Sequence, residues 1–499
     1  MHLEAAFDVP FGASWNPLRQ MGTLTFFYFW IVAVTGIYVY ILFDTTVGGA
    51  YRSVEEMTNQ QWYLGGIMRS IHRYASDAMV VTMVLHLSRE FIMDRYRDVR
   101  WFTWFTGTPL IWFLFISGIS GYWLVWDELA QYVAIGSMEW LDWLGIFGEP
   151  VANNFLDPGS LTDRFFTLLV FMHIFAPLFL LFIMWIHVMR VTQPKVNPPR
   201  GLAIGSLAMF VVLALIKPAV SHAPADLAMT PTTLNLDWFY MMLYPAFDTL
   251  GAGTLWVLAV GLSCIVCAMP WIPPLKRPRP AEVDLTKCNG CTRCFTDCPF
   301  GAVTMQPRSD GAAFDREAVV DPDMCTGCGI CVGSCPVSTP FRHDEELMTG
   351  IDLPDFDLTL IRKKTLKAAE KAGPNGVLVF GCDYGADVKS LKDDGIGTLS
   401  LPCIGMLPPS FIDFSISRAG VAGVMISGCK ECDCFSRLGN RWTQERIAGV
   451  RDPYLRKRVD RARITEFWGA RIDADALADA VREFRATLGD TADDEEDVA

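Results

Sequence analysis

The sequence predicts a multidomain protein: an all-α membrane helical bundle of six spans, then a cysteine-rich domain, then a small α/β domain with a parallel sheet. Three observations predict it. Hydrophobic residues make up 51% of the 499-residue chain, mean hydropathy is +0.27, and the apolar excess is confined to the first 272 residues. Of the 15 cysteines, 13 fall after residue 272. Beyond residue 355, short apolar strands alternate with helical patterns. The domains are expected at 1–272, 273–345 and 346–480, followed by an acidic tail, 481–499. A net charge of −13 argues against a nucleic-acid partner. The N-terminus "MHLEAAFDVPFGASWNPLRQMG" lacks a basic region followed by an apolar core, so no cleavable signal is expected.

The six spans are expected near 22–43, 66–91, 105–126, 162–190, 201–220 and 250–271. Cytoplasmic loops are enriched in Lys and Arg. Arg89, Arg95, Arg97 and Arg100 follow the second span, Arg190, Lys195 and Arg200 the fourth, and Lys276, Arg277 and Arg279 the sixth. By contrast, 127–163 and 219–249 contain neither residue type. This alternation predicts an inner-membrane protein with both termini, and everything after residue 272, in the cytoplasm.

His72 and His86 lie fourteen residues apart in the second span, and His173 and His187 lie fourteen apart in the fourth. Fourteen helical residues rise about 21 Å and return to within roughly 40° of the starting direction. Each helix therefore presents two histidines on one face at two depths. Spans two and four run parallel in an up-and-down bundle. His72 then faces His173 near the outer side, and His86 faces His187 near the inner side, as two pairs of axial haem ligands. A single such histidine reads as a hydrogen-bonded helix contact. Four ionisable groups in two matched pairs inside a membrane read as functional. Gly22 and Gly36 in the first span, and Gly107 and Gly121 in the third, repeat the spacing of fourteen. Lacking a Cβ, they offer clearance for a flat macrocycle.

With "MRSIHR", "GYWLVWDELAQY" and "LDWFY", residues 10–272 resemble the cytochrome b family of quinol-oxidising complexes. The resemblance implies two b haems stacked across the membrane, with Arg69 and Arg89 holding haem propionates. It also implies an outer quinone pocket framed by two family motifs, GYxLPW and PEWY. Gly121, Tyr122, Leu124 and Trp126 match the first, with Val125 in place of proline. The second reads Leu236-Asp237-Trp238-Phe239, with Asp for Glu and Leu for Pro. A carboxylate at Asp237, beside Tyr122, can serve as a general base toward a quinol. Dimeric relatives carry a homodimer as a further expectation. Cys264 and Cys267, at i and i+3 of the last span, read as small apolar packing side chains.

After the linker "PWIPPLKRPRPAEVD" come "CNGCTRCFTDCP" and "CTGCGICVGSCP". Each is a C-x2-C-x2-C-x3-C-P run, the pattern of two-cluster bacterial ferredoxins, in which the fourth cysteine serves the other cluster. Cys288, Cys291, Cys294 and Cys335 are expected to bind one [4Fe–4S] cluster, and Cys325, Cys328, Cys331 and Cys298 the second. Cytoplasmic cysteines are usually reduced, which disfavours disulfides.

In the third region "GVLVFGC", "GTLSLPC" and "AGVMISGC" end at Cys382, Cys403 and Cys429, with Cys432 and Cys434 just beyond. Ligands at neighbouring strand ends suit a metal site. With "CDYGAD", "LPC" and "GCKECDCFSRLGN", this region resembles the iron–sulfur delta subunit of methyl-viologen-reducing hydrogenases. That resemblance implies a [2Fe–2S] cluster and partners akin to heterodisulfide reductase. The family's first motif usually has two cysteines, and here only Cys382 remains. The best ligand set is Cys382, Cys403, Cys429 and Cys434, with Cys432 as an alternative. The tail "GDTADDEEDVA" is expected to be solvated and disordered.

These readings together predict the quinone-reactive, electron-transferring subunit of an oxidoreductase. Its cofactors would be two haem b, two [4Fe–4S] and one [2Fe–2S], with quinone as substrate. No flavin, NAD or molybdenum motif is present, so a separate cytoplasmic flavoprotein dehydrogenase is the expected partner. Inward electron flow from quinol to a low-potential acceptor, and an anchor without quinone turnover, stay open as alternatives.

Overall fold

The computed structural model describes residues 2–153, 159–273, 277–342, 346–347 and 349–496. Lys276 of the expected inner charge cluster and the last three residues of the acidic tail lie outside the described residues. The chain divides into two compact units. One comprises Trp15–Met189 with Pro194–Leu275; the other comprises Met1–Ser14, Arg190–Gln193 and Lys276–Ala499. The two units change over between Leu275 and Lys276, and the first helix, α1 (His2–Trp15), and the short segment 190–193 group with the C-terminal unit.

The first unit is helical. Its elements are α2 (Met21–Leu42), α3 (Val47–Asn59), α4 (Ile67–Ile92), α5 (Trp101–Trp123), α6 (Glu128–Asp142), α7 (Asp163–Val188), α8 (Arg200–Ile216), α9 (Leu243–Leu250) and α10 (Ala252–Ala268). Helix α2 packs along α4, and α5 along α7. Four helical stretches are long and apolar enough to cross a membrane: Met21–Leu42, Asp98–Trp123, Phe166–Val188 and Ala252–Trp271. The two other expected spans differ for physical reasons. Helix α4 has 26 residues but carries Arg69, Arg73, Asp77, Arg89 and Glu90. Helix α8 has only 17 residues. Buried apolar side chains from α2, α4, α6, α7 and α8, among them Leu24, Ile71, Val133, Leu180 and Phe210, form one core. The loop before α6 is ordered by Asp127, whose side chain accepts from the Ala130 N–H at 2.8 Å as an N-cap and from the His222 N–H at 2.9 Å. This ties residues 222–225 to the start of α6.

The second unit contains the cysteine-rich and α/β domains. In the cysteine-rich domain β1 (Glu282–Val283) pairs antiparallel with β4 (Ile351–Asp352), and β2 (Val303–Pro307) with β3 (Arg316–Val320). Two one-turn helices, α11 (Arg293–Asp297) and α12 (Ile330–Ser334), carry the repeated cysteine runs. Next come α13 (Leu358–Ala372), β5 (Val377–Cys382), β6 (Ile396–Leu401), α14 (Ser410–Ser417), β7 (Gly423–Gly428), α15 (Gly439–Ala448), β8 (Ile464–Trp468) and α16 (Ala474–Glu496). The sheet is parallel throughout, in the order β6-β5-β7-β8. Strands β5 and β7 are buried on both faces, which explains their unbroken apolar character.

The tail is shorter than the sequence suggests. Helix α16 continues to Glu496, and Val481 and Phe484 are buried beside Leu477 against Val377, Val379 and Met425 of the sheet. The apolar stripe at 477, 481, 484 and 488 is a helix face that the acidic composition around it conceals.

Candidate redox centres

The four histidines occur in two α-helical layers, and the structure gives each one the same neighbour. An ideal Cβ on Gly36 would lie 2.8 Å from Cε1 of His72. The corresponding distances are 3.0 Å for Gly121 and His173, 3.1 Å for Gly22 and His86, and 3.2 Å for Gly107 and His187. The glycines thus make room for the imidazoles of the adjacent helix. This refines the expectation that they clear space for a macrocycle, because the first group they accommodate is the ligand ring itself.

The same contact sets the ring orientation. His72 Nδ1 donates to the Val32 carbonyl at 2.9 Å, and His173 Nδ1 to the Ser117 carbonyl at 3.0 Å. His187 bonds the Thr103 backbone. In each case the carbonyl lies four residues before the facing glycine. A ring nitrogen against a carbonyl carries the proton, so the Nε2 lone pair of each ring is left for a metal. The hydroxyls of Thr35, Ser120 and Thr106, each just before its glycine, lie 3.2, 3.2 and 3.3 Å from the same Nδ1 atoms. Sequence reasoning missed these three, although a hydroxyl residue before three of the four glycines was there to be read. His86 differs: Met21 precedes its glycine, and Glu90 Oε1 lies 4.0 Å from its Nδ1.

The ring centroids of His72 and His173 are 6.4 Å apart. That separation accommodates one ion bonded to a nitrogen of each ring at about 2 Å. The residues present fit a bis-histidine haem. Arg69 donates to Thr58 Oγ1 and to Ser221 Oγ at 2.9 Å, with Glu55 at 3.8 Å. Arg89 lies 3.5 Å from Glu90.

Tyr122 and Asp237, far apart in sequence, meet: the Tyr122 hydroxyl donates to Asp237 Oδ2. Asp237 is 8% exposed, and its Oδ1 accepts from the Phe239 N–H at 2.9 Å. Two residues join them that sequence reasoning did not select. Arg73 reaches Asp237 at 3.3 Å and Asp77 at 3.4 Å, and lies 4.6 Å over the Tyr122 ring. The available signal was a charged pair at i and i+4 inside an apolar helix.

The cysteine runs form two concavities. Cys288, Cys291, Cys294 and Cys335 line one, with Met305 and Ile351. Cys298, Cys325, Cys328 and Cys331 line the other, with Pro299 and Ile330. This is the exchanged grouping that the doubled motif predicts. Backbone N–H groups face the sulfurs: Ala302 donates to Cys298 Sγ at 3.3 Å and Ala281 to Cys325 Sγ at 3.4 Å. Burial pushes the Cys294 and Cys328 thiols up to about 12, a cost that a bound cationic iron group would offset.

At the sheet's C-terminal edge, Cys382, Cys403, Cys429 and Cys434 form a ring. Cys382 Sγ is 3.6 Å from Cys429 Sγ. Hydrogen bonds from Cys403 and Cys429 hold both Cys382 and Cys434 well below the usual thiol range. Gly439 packs so closely on the Cys403 and Cys434 sulfurs that a Cβ there would overlap Cys403. Cys432 is exposed at a left-handed turn, outside this ring. Tyr384 and Phe435 stack beside it at 3.5 Å. Among the described residues, no three or more His, Cys, Asp or Glu side chains are gathered for a single metal ion. The fit of the cysteine sets to iron–sulfur groups rests on their number and grouping. Cys264 is exposed and Cys267 half-buried on α10.

Comparison with known proteins matches three parts of the chain. Residues 8–194 match the cytochrome b/b6/petB family, 287–339 the 4Fe-4S dicluster domain, and 389–490 the delta subunit of methyl-viologen-reducing hydrogenase. The first match stops short of Asp237, and the third begins after Cys382. Cytochrome b6 of Euglena gracilis is 28% identical over 188 residues, which is 37% of this chain and 86% of that protein. Cytochrome b6 of Auxenochlorella protothecoides is 27% identical over the same length, covering 37% and 86%. A solved hyperthermophilic respiratory Complex III chain aligns with 55% of this chain and 82% of its own length, at 17% identity and a TM-score of 0.44. The chain therefore joins a cytochrome b/b6 domain, a 4Fe-4S dicluster domain and a domain of the methyl-viologen-reducing hydrogenase delta-subunit kind.

Proposed function

We propose that this chain is the quinone-reactive membrane subunit of an electron-transfer complex. It exchanges electrons between a cytoplasmic partner, a flavoprotein dehydrogenase or heterodisulfide-reductase-like subunit, and the quinone pool. The chain spans the membrane six times, with α4 and α8 as the second and fifth spans and the iron–sulfur domains in the cytoplasm. The observation that carries this reading is the repeated histidine–glycine contact in two layers.

His72 with His173, and His86 with His187, hold two haem b groups, with Arg69 and Arg89 toward the propionates. Cys288, Cys291, Cys294 and Cys335 hold one [4Fe–4S] cluster, and Cys325, Cys328, Cys331 and Cys298 the other. Cys382, Cys403, Cys429 and Cys434 hold a [2Fe–2S] cluster. When bound, these groups supply one-electron redox chemistry at fixed positions. The chain's own contribution is to orient them and to handle protons. Nδ1 bonds to backbone carbonyls keep Nε2 available on His72, His173 and His187, and Tyr122 and Asp237 face the hydroquinone hydroxyl, where Asp237 Oδ2 takes or returns a proton. Electron movement across the full membrane couples to its potential at about 2.3 kcal/mol per 100 mV.

The test uses the full chain with all cofactors loaded, reconstituted in liposomes. Duroquinone should be reduced by an artificial low-potential donor supplied on the iron–sulfur side. Complete inactivity in cofactor-replete protein would instead favour an anchor. Potentiometric titration fixes direction, since clusters poised well above the quinone couple would sink outward flow.

A further inference from the structure

Asp77 lies in α4, five residues after His72, and the reading above leaves it without a role. The residue is 9% exposed. Its Oδ2 faces Arg73 Nε at 3.4 Å, while its Oδ1 is buried with no hydrogen-bond partner. Asp237, 8% exposed, takes the Tyr122 hydroxyl and Arg73 Nη2 on its Oδ2. The Arg73 guanidinium thus holds both carboxyl groups, one on Nε and the other on Nη2. Two carboxylates around one guanidinium leave one buried negative charge uncompensated. A proton taken up at the unpartnered Asp77 oxygen removes that charge. The groups facing Asp77 are Arg73 and Asp237, with Tyr74, Tyr122 and Tyr240 around them.

We propose that Asp77 is a second proton carrier of the quinone pocket, receiving at its unpartnered carboxyl oxygen the proton that Asp237 takes from a hydroquinone hydroxyl. The inference rests on the reading of Tyr122 and Asp237 as facing a quinone. In the first transfer the hydroquinone O–H bond breaks and an O–H bond forms on Asp237. In the second, that bond breaks and one forms on Asp77, which returns Asp237 to its carboxylate form. Neither transfer moves an electron, and both run backward when quinone is reduced. Arg73 holds the two carboxyl groups together as a positioning residue.

Two measurements on the haem-loaded full chain test this. In redox-difference infrared spectra of protein without quinone, wild type should show a deuterium-sensitive protonated-carboxyl band. Asp77→Asn should remove it and Asp77→Glu should shift it. With duroquinol as substrate, Asp77→Asn should lower kcat about 100-fold, with KM and the haem spectrum unchanged and with partial recovery in Asp77→Glu. An Asp77→Asn protein that keeps both the band and the wild-type rate overturns the inference and leaves the pocket standing. A fall in kcat that accompanies haem loss, without recovery by glutamate, overturns it as well. Wild-type protein with full haem that does not turn over duroquinol overturns the pocket reading and this inference together.

Discussion

A methyl group added at Gly36 would meet His72 Cε1 at 2.8 Å, closer than carbon atoms pack. The ring cannot retreat without losing the Val32 carbonyl at 2.9 Å that fixes its proton on Nδ1. Gly36→Ala should therefore remove the haem held by His72 and His173 while sparing the other, which a haem assay and low-temperature spectra would report as about half the haem lost. His72→Ala and His173→Ala should delete that same component, and His86→Ala and His187→Ala the other; loss of unrelated components would refute the pairing. At the sulfur ring, Cys382→Ser should abolish the signal of the proposed [2Fe–2S] cluster. Cys432→Ser should leave it intact, because Cys432 is exposed outside the ring. Bleaching of that signal in Cys432→Ser would reassign the ligand set.

The elements show how distant segments are brought to one place. Asp297 ends α11, one residue before Cys298, and is buried. It takes Arg446 of α15 at 2.6 Å and Arg451 at 2.7 Å, while Ser334 of α12 donates to it at 2.8 Å. Arg446 also donates to the Gly405 carbonyl at 2.8 Å, two residues beyond Cys403. Trp442, on the same helix, bonds the Asp297 carbonyl at 3.1 Å and packs with Ile330 and Cys403. This network joins the dicluster domain to the α/β domain. Removing Asp297 strands the buried Arg446 charge, which costs about 3–5 kcal/mol. Asp297→Ala should lower the unfolding free energy of the C-terminal unit in urea by that amount, followed by tryptophan fluorescence. A shift under about 0.5 kcal/mol, the level of an exposed pair, would show that the network contributes little.

At the scale of the whole molecule, the prediction concerns sidedness. The clusters of Lys and Arg after the second, fourth and sixth expected spans underlie the proposal that the iron–sulfur half is cytoplasmic. Protease added to inverted membrane vesicles should cut the linker after residue 272 and release the cysteine-rich and α/β domains together, while right-side-out vesicles should protect them. Release from right-side-out vesicles would reverse the orientation.

The sequence by itself determined the order of the three domains and marked the candidate ligands. A spacing of fourteen in four helices, the doubled cysteine run and the three strand-end cysteines are local patterns, and the parallel sheet follows from strands alternating with helices. The three-dimensional arrangement decided what local patterns cannot contain. Which atom each glycine faces depends on the packing of a second helix. The convergence of Arg73 and Asp77 with Tyr122 and Asp237 depends on folding a loop 115 residues away onto α5. Arg73 and Asp77 lie inside the expected second span, and only the packing of α5 and the 237 loop against α4 shows which groups they meet. The acidic end of α16 masked a buried stripe, because composition averages over faces that a helix separates.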